Sequence, residues 1–483
     1  MSTSARIREQ LSHPVIDSDG HSIDFGHIYQ DYLREAGGPQ MAARYAENLA
    51  TLTNVGPRWY RATPEARRAE RIPRPAWWAV PSGNALDLAT AKLPKLLYER
   101  LPEAGIDVTV LFAGTIIIDG LFIEAEVRRA ACRASNRLHM DMFRDYADRL
   151  IPVASIPAHT PQEAIAELDY CVNELGYRAF TMPSYIKRPV PAHRGEFPRT
   201  FWFDTYGIDS AYDYDPLWAC CLALGVVPTF HSSSQGLGFR ASVSNFTYNH
   251  IGHFAQSAEA VCKSLFMGGV THRFPGLRFG FLEGGTAWAA ALFADLLGHW
   301  KKRNPAALVR VDPARMDRAA FLALCREHGA ALLGDALRPE FHDQLVGSVS
   351  TNYREDRALH DEFALTGVSC PEDMLERFVK PFYFGCEGDD PMTGVAFDPR
   401  RNPLRTRLNA VFGSDIGHFD VPNIAAVLEE TWEPVERGDM DWEDFRAFVF
   451  GNPARMWAGQ NPHFFRGTSV ESAVTALLDG EGA

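Results

Sequence analysis

Four short stretches of this chain carry side chains able to hold a cation and move a proton. The first is Asp19-Gly20-His21, which closes the β-prone run Val15-Ile16-Asp17-Ser18-Asp19. Residues i and i+2 of a strand share a face, so the carboxylate of Asp19 and the imidazole of His21 can enter one small volume as two ligands of a metal ion. The others are Phe230-His231-Ser232, Leu282-Glu283-Gly284-Gly285, and Gly413-Ser414-Asp415 with His418 three residues on. Each follows an apolar run. Acids and imidazoles buried unpaired there would cost several kcal/mol each, a cost that a bound cation removes. Glu283 equally suits the cap of a helix starting after Gly284-Gly285.

These residues need elements that bring them to one place. Eight strand-like runs span 15–19, 107–113, 150–156, 178–182, 226–230, 277–282, 381–386 and 408–413. Several are almost continuously hydrophobic, as suits parallel strands covered on both faces. Helical signals alternate with them. Thr160-Pro161-Gln162-Glu163 reads as a capping box with proline at the first helical position, and Gly176 closes that helix. The segments 124–150 and 257–267 also read as helical. Such alternation implies an α/β fold, either a right-handed βα barrel or a doubly wound sheet. The long segments after the first and sixth strands favour one elaborated barrel domain over 1–483. Insertions at about 27–105 and about 304–378 would form a helical cap over its mouth. In a barrel the chemistry sits at the carboxyl ends of the strands, where the four stretches lie.

The segments Arg273-Phe-Pro-Gly-Leu-Arg-Phe-Gly-Phe-Leu-Glu-Gly-Gly285 and Phe412-Gly-Ser-Asp415-Ile-Gly-His418 are the most specific part of a wider pattern. From about Val15 to Trp457 the chain resembles the amidohydrolase superfamily, in the branch containing aminocarboxymuconate-semialdehyde decarboxylase and related metal-dependent hydrolases. That resemblance implies a distorted (β/α)8 TIM barrel with one or two divalent metals at its mouth. Asp19 and His21 stand where the family has its strand-one pair, often His-x-His. His231 matches the strand-five ligand, and Asp415 the strand-eight aspartate that deprotonates metal-bound water. Glu283 stands where the family often has a histidine, and strand four (178–182) lacks the bridging lysine or glutamate of dinuclear relatives. The expected metal ligands are therefore Asp19, His21, His231, Glu283 and Asp415, with Asp415 and His418 as catalytic groups.

Two imidazoles with up to three carboxylates suit Zn²⁺, Fe²⁺ or Mn²⁺. A bound cation lowers the pKa of its water to about 7, and Asp415 would take and return the proton. The expected function is metal-dependent hydrolysis of an amide, ester, thioester or activated C–C bond in a small organic substrate. Alternatives are decarboxylation of an unsaturated or aromatic acid, iron oxygenation, and a non-enzymatic subunit supporting an active homologue. His250 and His253 lie three apart, on one face of any helical turn. His253 is the candidate substrate contact and His250 reads as an ordinary loop histidine. Trp77 and Trp78 would line the substrate pocket or pack the cap. Glu387, Asp389 and Asp390 read as a solvated loop.

The net charge of −13 argues against a nucleic-acid partner. No uninterrupted apolar run is long enough to span a membrane. The N-terminus lacks the apolar core of a secretory signal, and the eight cysteines show no Cys-x-x-Cys spacing. These features point to a cytoplasmic protein with reduced thiols, free or assembled as a homo-oligomer or with a homologous subunit.

Overall fold

All eight expected strands form, and in each of them all or all but one of the described residues are buried. The computed structural model describes all residues except 51–57, 77–82, 115–119, 194–199, 235–236, 240, 311, 313–314, 347–360 and 483. Among the described residues there are ten strands: β1 (Ile16–Ser22), β2 (Val108–Ala113), β3 (Leu150–Ser155), β4 (Ala179–Met182), β5 (Ile186–Pro189), β6 (Phe201–Asp204), β7 (Pro228–Phe230), β8 (Phe279–Phe281), β9 (Phe382–Glu387) and β10 (Asn409–Gly413). Eight of them pair in parallel in the order β1-β2-β3-β4-β7-β8-β9-β10. β5 and β6 form a separate antiparallel hairpin.

The sheet curls until its ends meet. The Asp415 N–H donates to the Asp19 carbonyl at 2.9 Å, and the His21 N–H to the Ile416 carbonyl at 2.7 Å. Gly413 permits this seam, since a Cβ there would lie 2.8 Å from the Cβ of Asp19. Asp17 locks it from inside: its buried carboxylate accepts from the Thr109 hydroxyl, the Ser414 hydroxyl and the Ser414 N–H at 2.6–2.8 Å. The result is a nearly closed eight-stranded barrel of the TIM type.

Helices cover it. The capping box at Thr160 forms on the helix Pro161–Asp169, which continues as a π-helical turn to Leu175 before Gly176. The first long insertion divides in three. Helices Gly26–Gly37 and Met41–Leu49 lay Tyr29, Leu33, Met41 and Tyr45 on the outer-wall helix Ala125–Phe143. Residues 58–76 instead lie on the loop after β7: Trp59 Nε1 donates to the Val243 carbonyl at 2.8 Å, and the Arg74 N–H to Ser242 at 2.9 Å. Helix Pro94–Ala104 returns to the barrel through Leu97, Leu101 and Ala104. In the second insertion, helix Arg318–Leu333 buries Leu322 and leaves Leu324 and Leu332 exposed. All eight cysteines are free thiols, and among the described residues no helix is long and apolar enough to cross a membrane.

Candidate metal centre

A ladder of phenylalanines sets the floor of the mouth. Phe230, Phe281 and Phe384 occupy one register across β7, β8 and β9, with ring centroids 5.6 and 6.0 Å apart in stacked pairs. His231 is the next residue after β7, and Glu283 the second after β8. On β1 the pairing register slips between Asp17 and Gly20, a bulge of the kind that re-aims side chains beside active sites. Gly20 is needed there, because a Cβ would come within 2.4 Å of Thr109 Oγ1.

These strand ends deliver four donors to one point. His231 Nε2 lies 2.9 Å from Asp19 Oδ1 and 3.4 Å from Glu283 Oε2. His21 Nε2 lies 3.3 Å from Asp19 Oδ1 and 3.1 Å from Asp415 Oδ1. Ligand atoms of Asp19, His21, His231 and Glu283 all fall within 4.8 Å of one another, and all four residues are buried. A second set within the same distance joins His21, Glu283, Asp415 and His418. His418 stacks on His21 with centroids 3.6 Å apart, and its Nδ1 is 2.6 Å from Asp415 Oδ1.

Two features, one of the backbone and one of the side chains, single out this cluster. Glu283 and Asp415 both adopt positive φ, 57° and 51°, a conformation uncommon for residues with a side chain and concentrated at functional sites. In addition, Glu283 Oε2, His21 Nε2 and both Asp415 carboxylate oxygens are buried without a hydrogen-bond partner. Orphaned donors and acceptors of this chemistry fit a divalent cation.

Electrostatics follow from the crowding. Burial alone would raise Asp19, but the facing His231 and His21 outweigh it and hold its carboxyl at about 2. Burial, then the charges of Glu387, Asp19 and Asp420, push Glu283 well above the carboxylate range. Asp415 is pushed up in the same way by burial, Glu283, Glu387 and Asp420. Burial drives His418 well below its ordinary value, helped by the neighbouring imidazoles. Asp17 is raised to about 6 by burial, against its hydrogen bonds.

Five expected residues, Asp19, His21, His231, Glu283 and Asp415, are thus brought together, with His418 beside them. His253 is not part of either set; it is buried at the start of the helix His253–Met267, with its ring 4.6 Å from that of His250. Trp77 and Trp78 lie outside the described residues. Two readings need correction. Glu387 is the last residue of β9, half-buried, with a carboxylate oxygen within 4.8 Å of Asp415 and Asp420; it is no solvated loop residue. His250 Nε2 faces Asp420 Oδ2 at 3.6 Å, so it belongs to the rim of the site. Asp420 itself carries no strand-end signal, because the turn after β10 folds it back.

A family model described as amidohydrolase matches residues 102–331. No curated protein matches the sequence. Among solved structures, an amidohydrolase from Mycobacterium avium subsp. paratuberculosis is similar at a TM-score of 0.53 and 14% identity, over 92% of this chain and 100% of that one. A dihydroxybenzoic acid decarboxylase from Polaromonas sp., holding manganese and 2-nitroresorcinol, gives a TM-score of 0.48 at 12% identity, over 92% and 97%. A 4-oxalomesaconate hydratase from Rhodopseudomonas palustris gives 0.43 at 13% identity, over 97% and 98%. At these identities the likeness is one of fold.

Proposed function

With a TIM-type barrel and an amidohydrolase-family match over residues 102–331, we infer that this chain is a metal-dependent enzyme of the amidohydrolase superfamily that hydrolyses a small organic substrate. One observation carries the reading: buried donors from β1, β7 and β8 converge within 4.8 Å, with orphaned atoms among them. Asp19, His21, His231 and Glu283 would hold the ion, with Asp415 at its edge. A divalent cation there, Zn²⁺, Fe²⁺ or Mn²⁺, supplies polarisation of a carbonyl and acidification of a water.

The protein's own groups do the rest. Asp415, whose Oδ1 lies 3.1 Å from His21 Nε2, takes the proton of the attacking water on its carboxylate. His418 Nδ1, 2.6 Å from Asp415 Oδ1, receives that proton on the side nearer solvent and returns it to the leaving group. Residues 58–76, resting on the loop after β7, serve as part of a cap that limits water. His253, Trp77 and Trp78 are the proposed substrate contacts.

Non-oxidative decarboxylation of an aromatic or unsaturated acid is the second reading. It is favoured by Glu283, whose carboxyl is pushed well above the usual carboxylate range by burial and neighbouring carboxylates, as suits a group that delivers a proton to carbon. A substrate screen following both carbonyl hydrolysis and CO₂ release separates the two. For whichever activity emerges, Asp415→Asn is expected to lower turnover by about 10²–10⁴-fold with bound metal retained. Unchanged turnover would defeat the general-base role, and a metal-free protein of full activity would defeat the whole reading.

A further inference from the structure

We propose that the mouth holds a second, chemically distinct cation site, formed by Glu387, Asp415 and Asp420, that takes a hard divalent ion such as Mg²⁺ or Mn²⁺. The proposal rests on the reading of Asp19, His21, His231 and Glu283 as the first site, and Asp415 lies between the two. Carboxylate oxygens of Glu387, Asp415 and Asp420 fall within 4.8 Å of one another. Three carboxylates without an imidazole suit hard, oxygen-seeking ions, unlike the imidazole-containing first set.

Independent observations point to a ligand. Asp415 is 1% exposed, and its Oδ2 is buried without a hydrogen-bond partner although it belongs to a cluster of acids. Asp420 presents Oδ2 to His250 at 3.6 Å while its buried Oδ1 has no partner. Charge adds a further argument. Asp19, Glu283, Glu387, Asp415 and Asp420 bring five formal negative charges, and among the described residues none of them pairs with lysine or arginine. One divalent ion leaves three of those charges uncompensated; a second leaves one. The position also makes topological sense. Asp415 Oδ1 lies 3.1 Å from His21 Nε2 of the first set, and its carboxylate falls within 4.8 Å of those of Glu387 and Asp420, so it faces both sets.

The test is a Mn²⁺ titration of the full chain after chelation, read by metal analysis and electron paramagnetic resonance. Wild type is expected to bind two Mn²⁺ per chain with exchange-coupled signals. Glu387→Gln, a half-buried isosteric change, should weaken the second ion at least tenfold and leave the first. The Glu387→Gln/Asp420→Asn pair should hold one uncoupled ion, and His231→Ala should weaken the first ion instead. A single Mn²⁺ in wild type and in both carboxylate variants overturns the second site while leaving the first intact. Two coupled ions persisting in the double variant overturn the assignment of these ligands. No bound Mn²⁺ in wild type overturns both sites, and the wild-type count stands even if a variant fails to fold.

Discussion

The outer wall and the mouth of this barrel bury carboxylates in opposite ways. Between the helices Ala125–Phe143 and Pro161–Asp169, Arg128 meets Glu163 through Nε at 3.1 Å and Nη2 at 2.9 Å. One turn along, Arg133 grips Glu167 through Nε to Oε1 at 3.1 Å and Nη2 to Oε2 at 2.8 Å, and Asn136 Nδ2 adds a third donor at 2.9 Å. A guanidinium fork matches a carboxylate with two parallel bonds, so the wall is electrostatically complete within the polypeptide. At the mouth five carboxylates gather around imidazoles and, among the described residues, no guanidinium or ammonium pairs with them. The chain clearly can place arginine beside a buried acid. On the function proposed here, it leaves the mouth to an ion because a fixed arginine would fill the space and fix the charge that a reaction must vary.

The largest effect belongs to the wall. The side chains of Arg128 and Glu163 are 4% and 7% exposed, so Arg128→Ala leaves a buried charge uncompensated. It is expected to cost about 3–5 kcal/mol of unfolding free energy, measured by urea denaturation. The loss should be the same with metal or with chelator present. A loss that depended on metal would mean that wall and mouth are not separate electrostatic systems.

Next in size is pH dependence at the mouth. Asp17 sits at about 6 in the folded protein against 3.8 for the free side chain, and Glu283 and Asp415 are raised too. A raised acid binds more protons folded than unfolded. Its contribution to stability is therefore complete below pH 4 and lost as pH rises through about 6. For Asp17 alone this is on the order of 3 kcal/mol. Asp19, lowered to about 2, acts only below this window. In chelator, Tm should fall between pH 4 and 6. With saturating metal, protons compete with the ion for Glu283 and Asp415, both raised well above the usual carboxylate range, so the stabilisation by metal should grow as pH rises. A metal-induced Tm shift that is flat with pH would place the ion away from these acids.

How far the amino-acid order reveals this depends on which contacts are local. The eight barrel strands could be read because parallel strands are buried on both faces and run apolar, as in Phe382–Cys386. The β5–β6 hairpin was not anticipated: each strand has only four residues, and their burial is mixed, with Phe201 and Phe203 exposed and Asp204 buried. Asp19, His21, His231, Glu283 and Asp415 were legible because barrels place chemistry at strand ends. Glu387 was not, since Glu387-Gly-Asp-Asp looks like any polar turn until the turn carrying Asp415 and Asp420 comes over it. That turn depends on positive φ at Asp415 and Gly417, which no periodicity announces. Likewise Asp17 looks like one more residue of the first strand, yet it binds Thr109 and Ser414 from both neighbouring strands.

The smallest effect is the most discriminating, because it should change sign. Glu283 is crowded by Asp19, Glu387 and Asp420, so neutralising it in the metal-free protein removes repulsion that Arg128→Ala has no counterpart for. Glu283→Gln is expected to raise the stability of the chelated protein by roughly 1 kcal/mol. In saturating Zn²⁺ or Mn²⁺ the same change should lower stability relative to wild type, since a carboxamide is a poorer ligand than a carboxylate. Differential scanning calorimetry under the two conditions reads both signs. Were Glu283→Gln destabilising in chelator as well, the mouth carboxylates would be satisfied within the fold as those of the wall are. The case for an external cation would then lose its electrostatic ground.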